Sequence, residues 1–173
     1  MAQFDRLKHN PEQINLESIF KESFITFNDV LETKDIKIVP ANINVSLYAD
    51  KNMIRIVLRN LLSNAIKFSH PGGTIQIFTK SMKSSIEISV KDYGIGMSKE
   101  RVDDFFQRKL IKSRPGTLDE RGTGFGLMIC RELIEKNNGK ISIKSEYGNG
   151  TEVVVELPGH DPTFNDLQST MNP

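Results

Sequence analysis

Three stretches of the chain carry apolar residues at helical spacing, and six shorter ones read as strands. Residues 16–31 set Leu16, Ile19, Phe20, Phe24, Phe27 and Leu31 on one face, after Asn15 as N-cap. Residues 51–68 follow a second cap, Asp50, and turn Ile54, Leu58, Leu61, Leu62 and Ala65 to one side. A third helix opens in the glycine-rich run 122–126 and continues to about residue 138, with Leu127, Cys130, Leu133 and Ile134 facing inward. Residues 36–39 and 45–48 are β-like pieces divided by Pro40, while 74–80 and 85–91 predict a hairpin. Residues 140–145 and 151–157 predict two closing strands. After a short helical piece, 98–106, residues 107–121 have no hydrophobic period and hold Pro115 and Gly116, so they predict a long mobile loop of the kind that is usually functional. Residues 1–15 are a polar lead-in broken by Pro11, and 159–173 predict a disordered tail or linker around a single domain at 16–158.

The polar positions add more. In RNLLSNAIKFS, residues 59–69, Asn60, Asn64 and Lys67 lie at steps of four and three, so they share the helix face opposite the apolar stripe. One helix thus buries a core stripe and holds up two carboxamides and an ammonium, groups suited to a ligand of oxygen, metal and phosphate. Asp92 is in phase with Ile86, Ile88 and Val90, which puts a carboxylate at the end of a core-facing row. Burial there is costly unless something hydrogen-bonds to it. The exocyclic amine of adenine is a suitable donor, and Gly94 and Gly96 would let the backbone approach a flat base; an Asp-rich turn ending a strand is the plainer alternative. Thr151, in phase with Val153 and Val155, repeats the pattern and reads equally as a core threonine. The run Gly122-Thr123-Gly124-Phe125-Gly126-Leu127 stands at a helix start, where free N–H groups and the dipole favour phosphate. It is neither a Walker A loop, since no G-x-x-x-x-G-K-[ST] occurs, nor a dinucleotide fingerprint, since the glycine spacing differs and a loop precedes it.

Composition narrows the class. With 38% hydrophobic and 26% charged residues the chain reads as globular, and a net charge of +1 gives no electrostatic case for nucleic acid or a membrane surface. The single cysteine, Cys130, excludes an internal disulfide and fits a reducing compartment. No apolar run approaches the roughly 18 residues of a spanning helix, and the polar start is no signal peptide.

An amide-bearing helix, an Asp-Gly turn, a basic loop and a glycine-rich helix start, in that order, resemble the ATP-binding catalytic domain of sensor histidine kinases. That domain belongs to the superfamily that also holds type II topoisomerases, MutL and an ATP-dependent chaperone class. RNLLSNAIKFS is similar to its N box, KDYGIGM to its G1 box, DDFFQ to its F box and GTGFGL to its G2 box. The resemblance covers residues 16–158. It implies an α/β (α+β) two-layer sandwich, the Bergerat ATP-binding fold, with a mixed sheet of about five strands and three main helices on one face. It implies ATP and Mg²⁺ as ligands, with Asn64 on the metal, Asn60 beside it, Lys67 on the phosphates and Phe68 flanking base or sugar. Asp92 would read the adenine amine. Gly94, Gly96 and Met97 would line the base pocket with Thr151 nearby. Gly122, Thr123, Gly124, Phe125, Gly126 and Leu127 would cradle the triphosphate. Residues 98–121 would form a lid whose Arg108, Lys109, Lys112, Arg114 and Arg121 are candidates for the γ-phosphate, anchored by Phe105 and Phe106. Asn60 and Arg121 are the candidate assistants of phosphate transfer.

Two departures bear on mechanism. Members of the superfamily that hydrolyse ATP generally carry a Glu one turn before the magnesium Asn; here that position is Asn60, and an amide takes no proton from water. Transfer to a histidine, a nucleophile when neutral, asks less. Yet His9, His70 and His160 all lack the family's phosphoacceptor context. The resemblance therefore implies a protein-histidine kinase domain that passes the γ-phosphate to a histidine on a dimerisation domain outside this chain, residues 1–10 being a remnant of its helix hairpin. A response-regulator receiver domain would follow downstream. The domain alone would be a cytoplasmic monomer, in a homodimeric parent that the inner membrane can anchor. The alternatives are an autonomous ATPase of the same superfamily and a non-catalytic docking module.

Overall fold

The computed structural model describes residues 8–109, 114–120 and 124–161. In chain order they form β1 (Pro11–Asn15), α1 (Leu16–Thr33), β2 (Lys37–Ala41), β3 (Ser46–Asp50), α2 (Lys51–Phe68), β4 (Thr74–Ser81) and β5 (Ser85–Asp92), followed by α3 (Lys99–Phe106), α4 (Gly126–Lys136), β6 (Lys140–Ser145) and β7 (Thr151–Pro158). Five strands make one sheet in the order β2-β4-β5-β7-β6, with β2 and β4 parallel and the other neighbours antiparallel. β1 and β3 form a separate antiparallel pair.

Period-two alternation makes this sheet one-sided. Ile75 and Ile77 of β4, Ile86, Ile88 and Val90 of β5, and Val153, Val155 and Leu157 of β7 are buried. Between them Gln76, Phe78, Lys80 and Glu156 are exposed. The buried rows join the apolar stripes of α1, α2 and α4 in one core. α2 lies between the other two long helices, contacting both. Asp50 caps it by accepting from Asn52 N and Met53 N, each at 3.0 Å. The same side chain accepts from Asn10 N at 2.9 Å, and Asn137, at the end of α4, accepts the Asp50 N–H at 2.6 Å. Cys130 of α4 is fully buried beside α2, its thiol 3.8 Å from Val57 O.

Three expectations change. Residues 11–15 are a strand instead of plain lead-in: PEQIN has no alternation to announce it, only Ile14 is buried, and the pairing to β3 is made by backbone. Pro40 lies inside β2 instead of dividing two pieces. β2 is an edge strand, so the missing N–H costs no ladder bond on its open side. The break falls at Asn42, with φ +57°. The third long helix starts at Gly126, not 122, and ends at Lys136. Of residues 1–10, read as the remnant of a helix hairpin, 8–10 are irregular and 1–7 lie outside the described residues, as does the tail from 162 onward. Among the described residues no helix is long and apolar enough to cross a membrane.

Candidate functional site

A cavity of about 230 Å³ opens where the C-terminal half of α2, the ends of β5 and β7, and the start of α4 converge. It is lined by Asn60, Asn64, Lys67 and Phe68 of α2, Asp92, Met97, Arg114, Gly124, Gly126, Leu127 and Thr151, all singled out by sequence. Leu61, Ser63, Ala65, Val90, Arg101 and Val153 also line it. Val90 and Val153 were legible as the neighbours of Asp92 and Thr151 in the core-facing rows. Arg101 was not, because one arginine on a short charged helix carries no periodic signal.

Asp92 lies where its phase put it, at the buried end of β5 and only 5% exposed. Its Oδ1 accepts from Gly94 N at 2.9 Å and Thr151 N at 3.3 Å, the latter from the residue directly opposite on β7. Desolvation pushes its pKa up to about 6, against the pull of those two N–H groups, Arg114 and His70. Thr151 Oγ1 lies 2.9 Å from Ser145 Oγ, which also accepts from Met97 N at 2.8 Å and so ties the turn after β5 to β6.

Gly94 and Gly96 do not border the cavity among the described residues. A Cβ at Gly94 would stand 1.8 Å from Phe68 O, and one at Gly96 1.8 Å from Glu146 O. Both positions are held to glycine by the protein's own backbone, with φ +59° at Gly96 an added demand.

The α2 face carries the polar groups as its spacing requires. Asn60 donates its Nδ2 to Ile56 O at 2.9 Å, and its Oδ1 is 2.9 Å from where a Cβ of Gly126 would stand. Glycine at the head of α4 lets the two helices close to that distance. The Asn64 carboxamide has no hydrogen-bond partner among the described residues. Lys67 Nζ and the Arg114 guanidinium each lie 4.9 Å from the centre of the Phe68 ring. Desolvation lowers the pKa of Lys67, and of Arg114, which also faces Arg101. Among the described residues three cations, Lys67, Arg101 and Arg114, thus share the lining with a single carboxylate. At the head of α4, Phe125 is the N-cap and makes no side-chain cap hydrogen bond; the N–H groups of a helix start of this kind suit an anion.

Of the loop cations, only Arg114 reaches the cavity among the described residues; it also donates to Gly96 O. Arg108 pairs with both oxygens of Glu135, at 2.9 and 3.0 Å, and Lys109 with Asp104 at 3.6 Å. Lys112, Arg121, Gly122 and Thr123 lie outside the described residues. Phe125 is 47% exposed and not part of the lining. Phe105 is buried under the Arg131 guanidinium at 3.8 Å, whereas Phe106 is exposed.

A profile of the histidine kinase-, DNA gyrase B-, and HSP90-like ATPases matches residues 49–161, and the chain belongs to that family. Within it the likeness is to sensor kinases. The chain is 30% identical over 158 residues to the adaptive-response sensory kinase SasA of Synechococcus elongatus, which covers 89% of this chain and 40% of that protein. Over 109 residues it is 36% identical to the sensor protein SrrB of Staphylococcus aureus, covering 63% of this chain and 19% of that one. It therefore spans less than half the length of either relative. The solved catalytic domain of the histidine kinase ThkA superposes with a TM-score of 0.73 at 26% identity, covering 87% of this chain and 98% of that one. Fold and family are those of the ATP-binding catalytic domains of sensor histidine kinases.

Proposed function

We propose that this domain binds Mg-ATP and presents the γ-phosphate to a histidine on a dimerisation domain outside the chain. What carries the reading is the composition of one cavity among the described residues: a buried carboxylate, three cations, two carboxamides on one helix face and a helix start with no side-chain cap bond. Asp92 accepts from the adenine amine, between the apolar walls of Val90, Met97, Leu127 and Val153. Lys67 and Arg114 offset phosphate charge, and the first N–H groups of α4 meet the phosphate oxygens. Arg121 and the run 122–123 complete that end in the proposal.

The oxygen of Asn64 would hold Mg²⁺ together with phosphate and water, as suits an ion that takes few protein ligands. Among the described residues no cluster of three or more His, Cys, Asp or Glu offers an alternative. When bound, the metal supplies charge neutralisation on the phosphates. The chain's own part is binding and orientation: the acceptor nitrogen attacks phosphorus in line as the bond to the ADP oxygen breaks. Asn60 abstracts no proton from water, which disfavours a free-running ATPase.

SasA and SrrB are sensor proteins by description, and ThkA has been solved with the response regulator protein TrrA, at 24% identity and a TM-score of 0.71 to this chain. We accordingly place a receiver domain downstream and the domain in the cytoplasm, as a monomer when isolated and within a homodimeric parent that the inner membrane can anchor. Calorimetric titration with a non-hydrolysable ATP analogue and Mg²⁺ tests the binding step. Binding is expected for the wild type and is lost in Asp92→Asn; no binding to the wild type, or undiminished binding to the variant, removes the reading. Transfer of label from γ-labelled ATP to a separately made dimerisation domain tests the kinase step.

A further inference from the structure

Lys34 follows α1, and its side chain is completely buried. A buried ammonium is tolerated only when its protons are taken up. Here Nζ donates to Ile66 O at 2.8 Å, Thr117 Oγ1 at 2.6 Å and Glu120 Oε1 at 2.8 Å, with Lys67 O at 3.2 Å. Two of these acceptors are carbonyls of the last turn of α2, and two belong to the loop that brings Arg114 to the cavity. The loop returns the contact. Thr117 donates its hydroxyl to Ser69 O at 2.7 Å and its N–H to Lys67 O at 3.0 Å. Glu120 closes the turn on itself, Oε2 accepting from Leu118 N at 2.8 Å and its carbonyl from Gly116 N at 3.0 Å. Burial opposes ionisation of Glu120, but the bonds from Lys34 and Leu118 N prevail and hold its carboxyl below the usual range.

One buried cation therefore joins the end of α2, which carries Lys67 and Phe68, to residues 116–120. Two residues before that turn, the Arg114 guanidinium lies over Phe68. We propose that Lys34, through Glu120 and Thr117, is a positioning residue for the nucleotide site: it fixes the loop so that Arg114 stands at the mouth of the cavity. Nucleotide affinity then depends on an ion pair that touches no nucleotide. This rests on the ATP-binding reading above.

Lys34→Met removes a charge from the core and is a poor probe if it fails to fold. Glu120→Gln acts at the partly exposed end of the pair and is the variant to use, with its melting point recorded. Affinity for the non-hydrolysable ATP analogue with Mg²⁺ is measured for wild type, Glu120→Gln, Arg114→Ala and the double variant. Glu120→Gln is expected to bind about five- to tenfold more weakly, and to bind no more weakly than Arg114→Ala once Arg114 is already absent. Backbone amides of 116–120 should exchange faster in Glu120→Gln than in the wild type. Affinity unchanged by Glu120→Gln, or losses that simply add in the double variant, overturns the proposal. No binding to the wild type overturns the ATP-binding reading, and this inference with it.

Discussion

In the proposed site, Asp92 would serve binding at the expense of stability. Its carboxyl is raised from 3.8 to about 6 because burial disfavours the charge more than its partners restore it. A folded-state pKa above the unfolded one means the native protein holds the proton more tightly. The benefit is complete below pH ~4 and is lost as the pH rises through about 6. At pH 7.5 Asp92→Asn should therefore be more stable than the wild type, by up to about 3 kcal/mol, while no longer binding the ATP analogue; at pH 4 the stability gain should vanish. Denaturant titration at the two pH values checks the sign. Because only the ionised form accepts from an amine without offering a proton of its own, wild-type affinity should also weaken as the pH falls below about 6. Asn60 makes the complementary case. Asn60→Glu places a carboxylate beside the head of α4, and steady Mg²⁺-dependent phosphate release should rise at least about tenfold if a general base is what the site lacks. Phosphate release at saturating ATP reads this directly.

Among the elements, α2 was the most legible. A capping aspartate, 18 residues of one period and three polar groups on the opposite face left little choice of ends or orientation. Asp50→Ala removes the cap of α2 and an acceptor for the lead-in, and should cost about 1–2 kcal/mol in urea unfolding. The strands β4, β5 and β7 were legible for the same reason, their buried face being written in alternation. β1 was not, because a short polar segment that pairs through its backbone leaves no side-chain pattern. Pro40 misled because an edge strand tolerates what a central one would not. Gly94 and Gly96 stood out in the sequence as positions of close approach, but the backbone that excludes a side chain from them could not be read there. The close backbone of Phe68 and of Glu146 belongs to segments distant in sequence.

For the whole molecule, the site is an assembly of pieces from α2 to β7, and its candidate residues emerged from order along the chain more than from any single motif. The loop contacts escaped that logic. A lysine reads as a surface residue unless its acceptors are known, and those of Lys34 lie 32 to 86 positions away. The distribution of loop cations was equally hidden: sequence offers them all to the phosphates, whereas the fold commits Arg108 to Glu135 and Arg114 to the cavity.

Cys130 is the only thiol in the protein, fully buried between α4 and α2, with its pKa pushed up to about 12 by desolvation. A soluble thiol reagent reacts with it only in molecules that have transiently opened, so the labelling rate is a built-in clock for unfolding. Under conditions where closing outruns labelling, saturating nucleotide should slow that clock by the factor 1 + [L]/Kd. Labelling followed by mass spectrometry against analogue concentration then measures affinity with no introduced probe, and a rate indifferent to the analogue would contradict binding to the native state.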